Sequence, residues 1–574
     1  MAKKATVNKP QAAPNLLSST STFKIAGKTF TFSTEEKICS GLLAILILLV
    51  YIIRSNFLLI PFERDEGIYS YFGTLVLEGK TPYKDFYEFK LPGLFYFFAL
   101  IVKLFGATVK GMHTGFMYVN IITVVMIYYA SKNLFSPIAG IISATTFAFV
   151  SLTPNLSGFT VQAEHGVSLF ISIGLFFYSR TKIKDGWLNY LLMGISMGLA
   201  FMVKTTGVFL ALWGGLIIIT DFLFTKKPKK IKPFLIHLVS YSIGGFSVIA
   251  IFVLIIFLKG TLSEMYFWTY KISTFYGNMV TFEDGIKYFK YTRDAIVQNH
   301  NFFWIQSVLA LGVCLFPSIN FKLKALAFTL LAFSFFTIVP GYFFYGHYWI
   351  QILPGLAVIA GLTYHCVITI FESKIKLGKL SLRYIYLSVF ALLTFGHVNA
   401  LKSYYFHPNY ELILRQVYGS NPFPEAMEIA NFINANSKPE DNIVLIGSEP
   451  QIYFYTKKKA PSRHAYFTIL VTNVPQHKEW QREFVKDTEK AKPRYVVFFN
   501  HSISLMVQPN TDKYVFEWAN KYITENYHLV GIADMVDGMQ TNYVWKDALN
   551  GFQPKGQYVI YTYERNTTAT PAKP

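Results

Sequence analysis

The chain is 574 residues long, 52% hydrophobic and 18% aromatic, with only 15% charged residues, against roughly 25% charged in an ordinary soluble domain; that composition excludes a soluble globular protein. Its formal net charge is +20, from 53 Lys and Arg against 33 Asp and Glu. The cations sit in short connectors between apolar runs, which is how cytoplasmic loops of a membrane protein look and excludes a nucleic-acid surface.

Residues 1–36 read as a cytoplasmic tail, and the apolar run 37–57 that follows begins too late and runs too long for a cleaved signal peptide, so it is a retained first span. Further runs of spanning character follow at 112–130, 137–152, 163–178, 187–203, 207–224, 234–258, 302–317, 325–340, 348–371 and 384–401, for about eleven spans in all. The stretch 93–105 is too short and carries Lys103, so it is assigned to the interface or to a re-entrant turn.

With the N-terminus inside, the cytoplasmic connectors hold Lys132, Arg180, Lys182, Lys184, the cluster KKPKKIK, Lys322, Lys324, Lys374, Lys376, Lys379 and Arg383. Counting 93–105 as a span would reverse every later loop and put these clusters outside, against the positive-inside rule. The loops 57–111, 153–162, 259–301 and 341–347 and the whole region 402–574 are then extracytoplasmic. Residues 37–401 form the transmembrane domain. Residues 402–574 are polar enough to fold in water as an α/β domain, with a helix opened by Pro424 and strands at 443–447, 494–499 and 558–563. The three cysteines, Cys39, Cys314 and Cys366, lie in or beside apolar runs with neither metal-ligand nor disulfide spacing.

The first outer loop carries the chemistry. Arg64, Asp65, Glu66, Asp85, Glu88 and Lys90 emerge together at one membrane face, where ionisable groups are costly and functional. The order is Arg-Asp-Glu-Gly-Ile-Tyr from Arg64 to Tyr69, then Gly79-Lys-Thr-Pro-Tyr83, Glu88-Phe-Lys90-Leu-Pro-Gly93 and Leu104-Phe-Gly106. An acidic pair after the first span, a Gly-x-x-Pro-Tyr turn, a Lys-Pro element and an apolar interfacial helix ending in Phe-Gly resemble the GT-C glycosyltransferases of the protein O-mannosyltransferase and lipid A aminoarabinose transferase type. Phe89 and Leu91 interrupt the contiguous Glu-Lys-Pro form, so Glu88 is assigned to the substrate cavity and not to a metal.

The resemblance implies a polytopic α-helical GT-C-like enzyme that transfers a sugar from a polyprenyl-phosphate donor to a lipid, glycan or protein acceptor at the outer face, with inversion. It implies Asp65 as the catalytic carboxylate, with Glu66 beside it. Chemically, an acceptor hydroxyl needs a base and the departing lipid phosphate needs cations. Arg64, Lys90, Lys204 and His347 are the candidates for the phosphate. Lys204 interrupts two apolar runs on the outer side, and His347 stands in Tyr345-Gly-His-Tyr-Trp349 before a late span. Glu164 and His165 open the fourth span and, with Glu88, Tyr69 and Tyr83, are expected to line the cavity. No His lies in 259–278, where the aminoarabinose transferases supply one to a metal. No cofactor is required and metal dependence is unsupported. A transporter or flippase of lipid-linked saccharides would share the spans but should carry midplane ionisable groups and repeated broken helices. A non-catalytic scaffold would leave the acidic first loop unexplained.

Overall fold

The computed structural model describes residues 20–25, 28–225, 230–298, 301–372, 374, 381–537 and 540–566. Within the expected tail, β1 (Thr20–Ile25) pairs antiparallel with β2 (Lys28–Ser33), a hairpin that the sequence reading did not foresee. Ser33 then starts α1 (Thr34–Ser55) through a capping box: its hydroxyl accepts from the Glu36 N–H at 3.1 Å, and the Glu36 carboxylate accepts from the Ser33 N–H at 3.0 Å.

Every predicted span falls on a helix. After α1 come α2 (Arg64–Leu77), α3 (Gly93–Phe105), α4 (Val109–Leu134), α5 (Pro137–Val150), α6 (Ala163–Thr181), α7 (Trp187–Val203), α8 (Val208–Leu223) and α9 (Ile231–Leu258). Helices Asn301–Val313, Phe321–Phe336, Leu353–Phe371 and Leu382–Ala400 complete the set. Among the described residues five segments are long and apolar enough to cross a membrane: Thr34–Ser55, Val109–Leu134, Thr205–Leu223, Ile231–Leu258 and Gly346–Phe371. Integral membrane character therefore stands, while the other members of the expected eleven fall short in length or hydropathy. The segment Gly346–Phe371 is 78% buried and α9 only 22%, which makes the first the central pillar of the bundle and the second a peripheral helix. Phe246, Ile251, Leu254 and Phe257 on α9 face outward, as lipid contact requires. The backbones of α7 and α9 approach closely at Gly194 and Gly244, where a Cβ would run into Tyr241 and Leu191 carbonyls.

The stretch 93–105, assigned to the interface from sequence, is the helix α3, packed on α2, α4 and α7 with Leu100 and Leu104 exposed. The last 130 or so residues build a mixed sheet in the order β3-β4-β7-β5-β6. Strand β3 (Ile443–Ile446) runs parallel to β4 (Tyr495–Asn500); β7 (Tyr558–Arg565) inserts antiparallel between β4 and β5 (Tyr527–Met535); and β6 (Thr541–Trp545) closes the edge on β5. The three predicted strands are present and β5 and β6 are additional. Pro424 sits in the first turn of the helix Phe423–Asn436, which buries Ala426, Ile429, Ala430 and Ile433.

Sheet region and helical bundle share one apolar core. Tyr71 of α2 stacks on Tyr453 at 5.5 Å between ring centroids, and Phe62 meets Phe454 at 5.6 Å. The first loop is thus held from both sides, and that is where the ionisable residues lie.

Candidate active site

Helix α2 begins one residue before Asp65, and its start is fixed by carboxylates. Glu63 is the N-cap, accepting from the Glu66 N–H at 2.9 Å, while Glu66 Oε2 accepts from the Glu63 N–H at 2.9 Å. Glu66 Oε1 accepts from the Val161 N–H, and Glu63 Oε1 from the Gln162 side-chain amide at 2.6 Å. Burial pushes the Glu66 carboxyl up to about 8 against the pull of its bonds from Glu63 and Val161, and burial likewise raises the Glu63 carboxyl, with the neighbouring Asp65 and Glu66 charges adding to the rise. Both Glu66 oxygens are occupied by backbone donors. Asp65, between these two, is half-buried, and its Oδ2 accepts from the Tyr69 hydroxyl one turn on, at 3.1 Å.

Arg64 turns away from that carboxylate. Its guanidinium reaches the C-terminal region: Nη2 to Glu449 Oε1 at 2.7 Å, Nε to the Ser448 carbonyl at 2.8 Å and Nη1 to Asn421 Oδ1 at 2.7 Å, with the Phe423 ring 5.2 Å from its centre. Its donors are thus committed to the C-terminal region and not to the phosphate site expected of it.

The turn 79–90 brings the second group. Gly79 takes φ +83 to end α2, and Thr81 N–H is held by Asp85 Oδ2 at 2.7 Å. Tyr83, fully buried, donates to the Lys90 carbonyl at 2.8 Å and so fixes where Lys90 leaves the turn. Glu88 is buried; desolvation raises its carboxyl and nearby Lys90 opposes that rise. Lys90 is half-buried and makes no ion pair among the described residues.

The third group comes from the ends of α6 and α7. Lys204 breaks the helix between α7 and Val208, is buried, pairs with Glu164 at the start of α6, and holds its ammonium 3.7 Å from the centroid of the Tyr348 ring. The 3-10 turn Gly346–Ile352 that carries Tyr348 is tied down by Ser168, whose hydroxyl donates to the Ile350 carbonyl at 2.9 Å, and by Thr206, which donates to Gln351 Oε1 at 2.6 Å. His347 lies within electrostatic reach of Glu164, Lys204, Asp65 and Lys90, and Lys204 within reach of Glu164, Lys90 and Asp65. His165 is buried against Phe116 and neither ring nitrogen has a hydrogen-bond partner.

These segments bring together one charged cluster, here termed the chamber: Asp65, Glu88, Lys90, Glu164, Lys204 and His347 come within electrostatic reach of one another from five separate stretches of chain, while Glu66 and Arg64 are buried in other contacts and Tyr83 supports the turn. Sequence reading missed Glu63 and Glu449, whose roles depend on folding, and the phenols of Tyr276, Tyr348 and Tyr466. With Tyr69 and Tyr345 these all lie within reach of the Asp65 charge. Tyr276, Phe343, Tyr345 and His347 stack in succession, at centroid separations of 4.7, 5.4 and 5.8 Å, and form an aromatic wall. A separate cavity of about 310 Å³, lined by Tyr71, Leu75, Lys80, Lys84 and Arg463 among others, does not include Asp65. Among the described residues no group of three or more His, Cys, Asp or Glu is arranged to hold a metal ion.

A carboxylate and a free ammonium in a half-buried chamber at the ends of apolar helices can take a proton from a hydroxyl and neutralise a leaving phosphate. Residues 90–257 match the family described as dolichyl-phosphate-mannose-protein mannosyltransferase. No curated protein matches the sequence. The crystal structure of ArnT from Cupriavidus metallidurans in the apo state aligns over 91% of this chain and 98% of its own, with TM-score 0.53 and 12% identity. The same protein bound to undecaprenyl phosphate aligns over 91% of this chain and 97% of its own, with TM-score 0.51 and 10% identity. This chain therefore has the fold of ArnT, and its residues 90–257 match the family model of the dolichyl-phosphate-mannose-protein mannosyltransferases.

Proposed function

We propose that this protein is a glycosyltransferase that moves a sugar from a polyprenyl-phosphate donor to an acceptor hydroxyl at the extracytoplasmic face, with inversion at the anomeric carbon. Asp65 accepts the proton of the acceptor hydroxyl as its oxygen bonds to the anomeric carbon. The bond from that carbon to the phosphate oxygen breaks on the opposite side, and the lipid phosphate leaves with the electron pair. Tyr69 orients the Asp65 carboxylate. Lys90, the one chamber cation without an ion pair among the described residues, meets the developing charge on the phosphate, with Lys204 and His347 behind it. Glu88 and Glu164 line the cavity, Glu164 by holding Lys204 in place. The sheet region, residues 402–574, is an outer domain over the chamber.

The observation that carries this reading is that Asp65 and Lys90, both half-buried and without an ion pair among the described residues, lie within electrostatic reach of the same three groups, Glu88, Lys204 and His347. The undecaprenyl phosphate bound to the similarly folded ArnT supports a donor of that class. Two sets of ties give the bundle two distinct ends. Lys132 pairs with Glu36 at 3.0 Å and Arg383 lies 4.0 Å from Glu35, which gathers cations where α1 begins. At the other end of α1, Asn56 donates to the Tyr405 carbonyl at 2.8 Å, which joins the sheet region to the first loop. The cation-rich end is cytoplasmic under the positive-inside rule, so the chamber is outside. Incubating the purified protein with a panel of polyprenyl-phosphate sugars tests the reading. Release of free lipid phosphate from at least one donor, dependent on an acceptor, is expected; no release from any of them would overturn it.

A further inference from the structure

The sheet region grips the two stretches that carry Asp65 and Lys90, each time through the residue beside or near the chamber group. Arg64 immediately precedes Asp65 and is only 8% exposed; its donors meet Glu449 and Asn421 side chains and the Ser448 and Ile503 carbonyls. Glu449, itself fully buried, is further held by the Gln451 amide, Nε2 to Oε2 at 2.8 Å. One turn later Gly67 lets the Gln451 backbone close in, since a Cβ there would come within 2.7 Å of the Gln451 nitrogen. On the other side of the chamber Tyr87, three residues before Lys90, shares a short hydrogen bond with His464 Nδ1, while His464 Nε2 faces Glu483 at 3.3 Å. The Tyr87 ring lies flat on Trp268, 3.6 Å between centroids, and Trp268 stacks on Trp480 at 5.0 Å.

We infer that Glu449 is a positioning residue of the transferase: through its buried pair with Arg64 it fixes the first turn of α2 and hence where the Asp65 carboxylate stands. This rests on the glycosyltransferase reading for its catalytic consequence and on geometry alone for its mechanical one. Arg64 presents a planar fork, so its bonds to Glu449 and the Ser448 carbonyl set the rotation of α2 about its axis as well as its height. Asp65 has no such anchor of its own beyond Tyr69, which rides on the same helix. The sheet region is thus a working part of the active site and not only a cover for it.

The test uses the full-length protein with Glu449→Ala and Glu449→Gln, reading donor turnover together with amide hydrogen exchange. In Glu449→Ala the exchange of residues 64–67 rises while that of α5 and of Leu353–Phe371 stays as in the wild type. At the same time kcat falls by about 10²-fold, the cost of a misplaced catalytic group, with KM for the donor unchanged. Glu449→Gln keeps an acceptor for Arg64 and retains more activity than the alanine variant. The inference is overturned if exchange at 64–67 is unchanged, or if kcat per folded molecule stays at the wild-type level. Wild-type protein that releases no lipid phosphate from any donor overturns the glycosyltransferase reading instead, and the exchange arm still decides whether Glu449 holds α2.

Discussion

Asp65 and Glu66 are neighbours in sequence with opposite fates in the fold. Glu66 spends both oxygens on the backbone of Glu63 and Val161, while Asp65 keeps an oxygen for the chamber. Replacing Asp65 by Asn preserves size and the Tyr69 contact but removes the base, so transfer should fall by about 10²–10⁴-fold with the protein folding and inserting as before. Near-normal turnover would sink the assignment. Lys204 stands out in the sequence as a lone cation between apolar runs, but nothing there names its partner, Glu164, forty positions earlier and met only because α6 and α7 pack antiparallel. With the pair buried, Lys204→Met leaves a stranded carboxylate and should cost about 3–5 kcal/mol of stability on top of any loss of donor binding. Lys204→Met combined with Glu164→Gln removes the stranded charge and should recover most of that stability. Thermal unfolding in detergent separates the two; a single variant as stable as wild type would mean that the pair contributes nothing to the fold. In the double variant, donor affinity that stays low then reports the loss of the ammonium itself.

At the scale of single elements the legibility of the sequence follows its periodicity. Helix α3 has the bounds expected of it because thirteen nearly continuous apolar residues between Pro92 and Gly106 leave little choice. Helix α2 was not foreseen: its N-cap is a glutamate, not the usual Ser, Thr, Asp or Asn, and its residues are buried all round, so no apolar stripe marks it. Strands β5 and β6 were missed for a related reason, since the run from Tyr527 mixes His, Gly and Asp among its apolar residues and its pairing with β7 is set by chain far downstream. Gly67 tests how closely α2 is docked. In a free helix Gly→Ala would add about 1 kcal/mol of helix propensity. Here the added methyl meets the backbone of Gln451, so Gly67→Ala should instead destabilise by about 1–3 kcal/mol through overpacking. A melting temperature above that of the wild type would mean that α2 and the helix Gln451–Thr456 can part without cost, against the close docking described here.

For the molecule as a whole, the helices under the apolar runs are legible because hydrocarbon allows so few arrangements of backbone, whereas the contacts between bundle and sheet region are not, because each joins residues hundreds of positions apart. Arg64 with Glu449 and Asn56 with Tyr405 are examples. What decides whether the chamber works outside the cell is orientation, and the ties at the two ends of α1 make it measurable at two sites. Lys230 lies just before α9 and belongs to the cation cluster KKPKKIK; Thr225, on the same connector, receives a hydrogen bond from Lys322 at 3.0 Å. Lys402 follows the helix Leu382–Ala400 and stands close in sequence to Tyr405, which is joined to the first loop through Asn56. Both side chains are exposed, and Cys39, Cys314 and Cys366 are all buried, so background labelling by a membrane-impermeant thiol reagent should be low. In intact cells Lys402→Cys should react and Lys230→Cys should react only after permeabilisation. The reverse pattern would turn the bundle over, leave Asp65 and Lys90 facing the cytoplasm, and require donor and acceptor to be sought there; labelling of both sites in intact cells would mean that the two connectors do not lie on opposite faces, which the two-ended arrangement of α1 contacts does not allow.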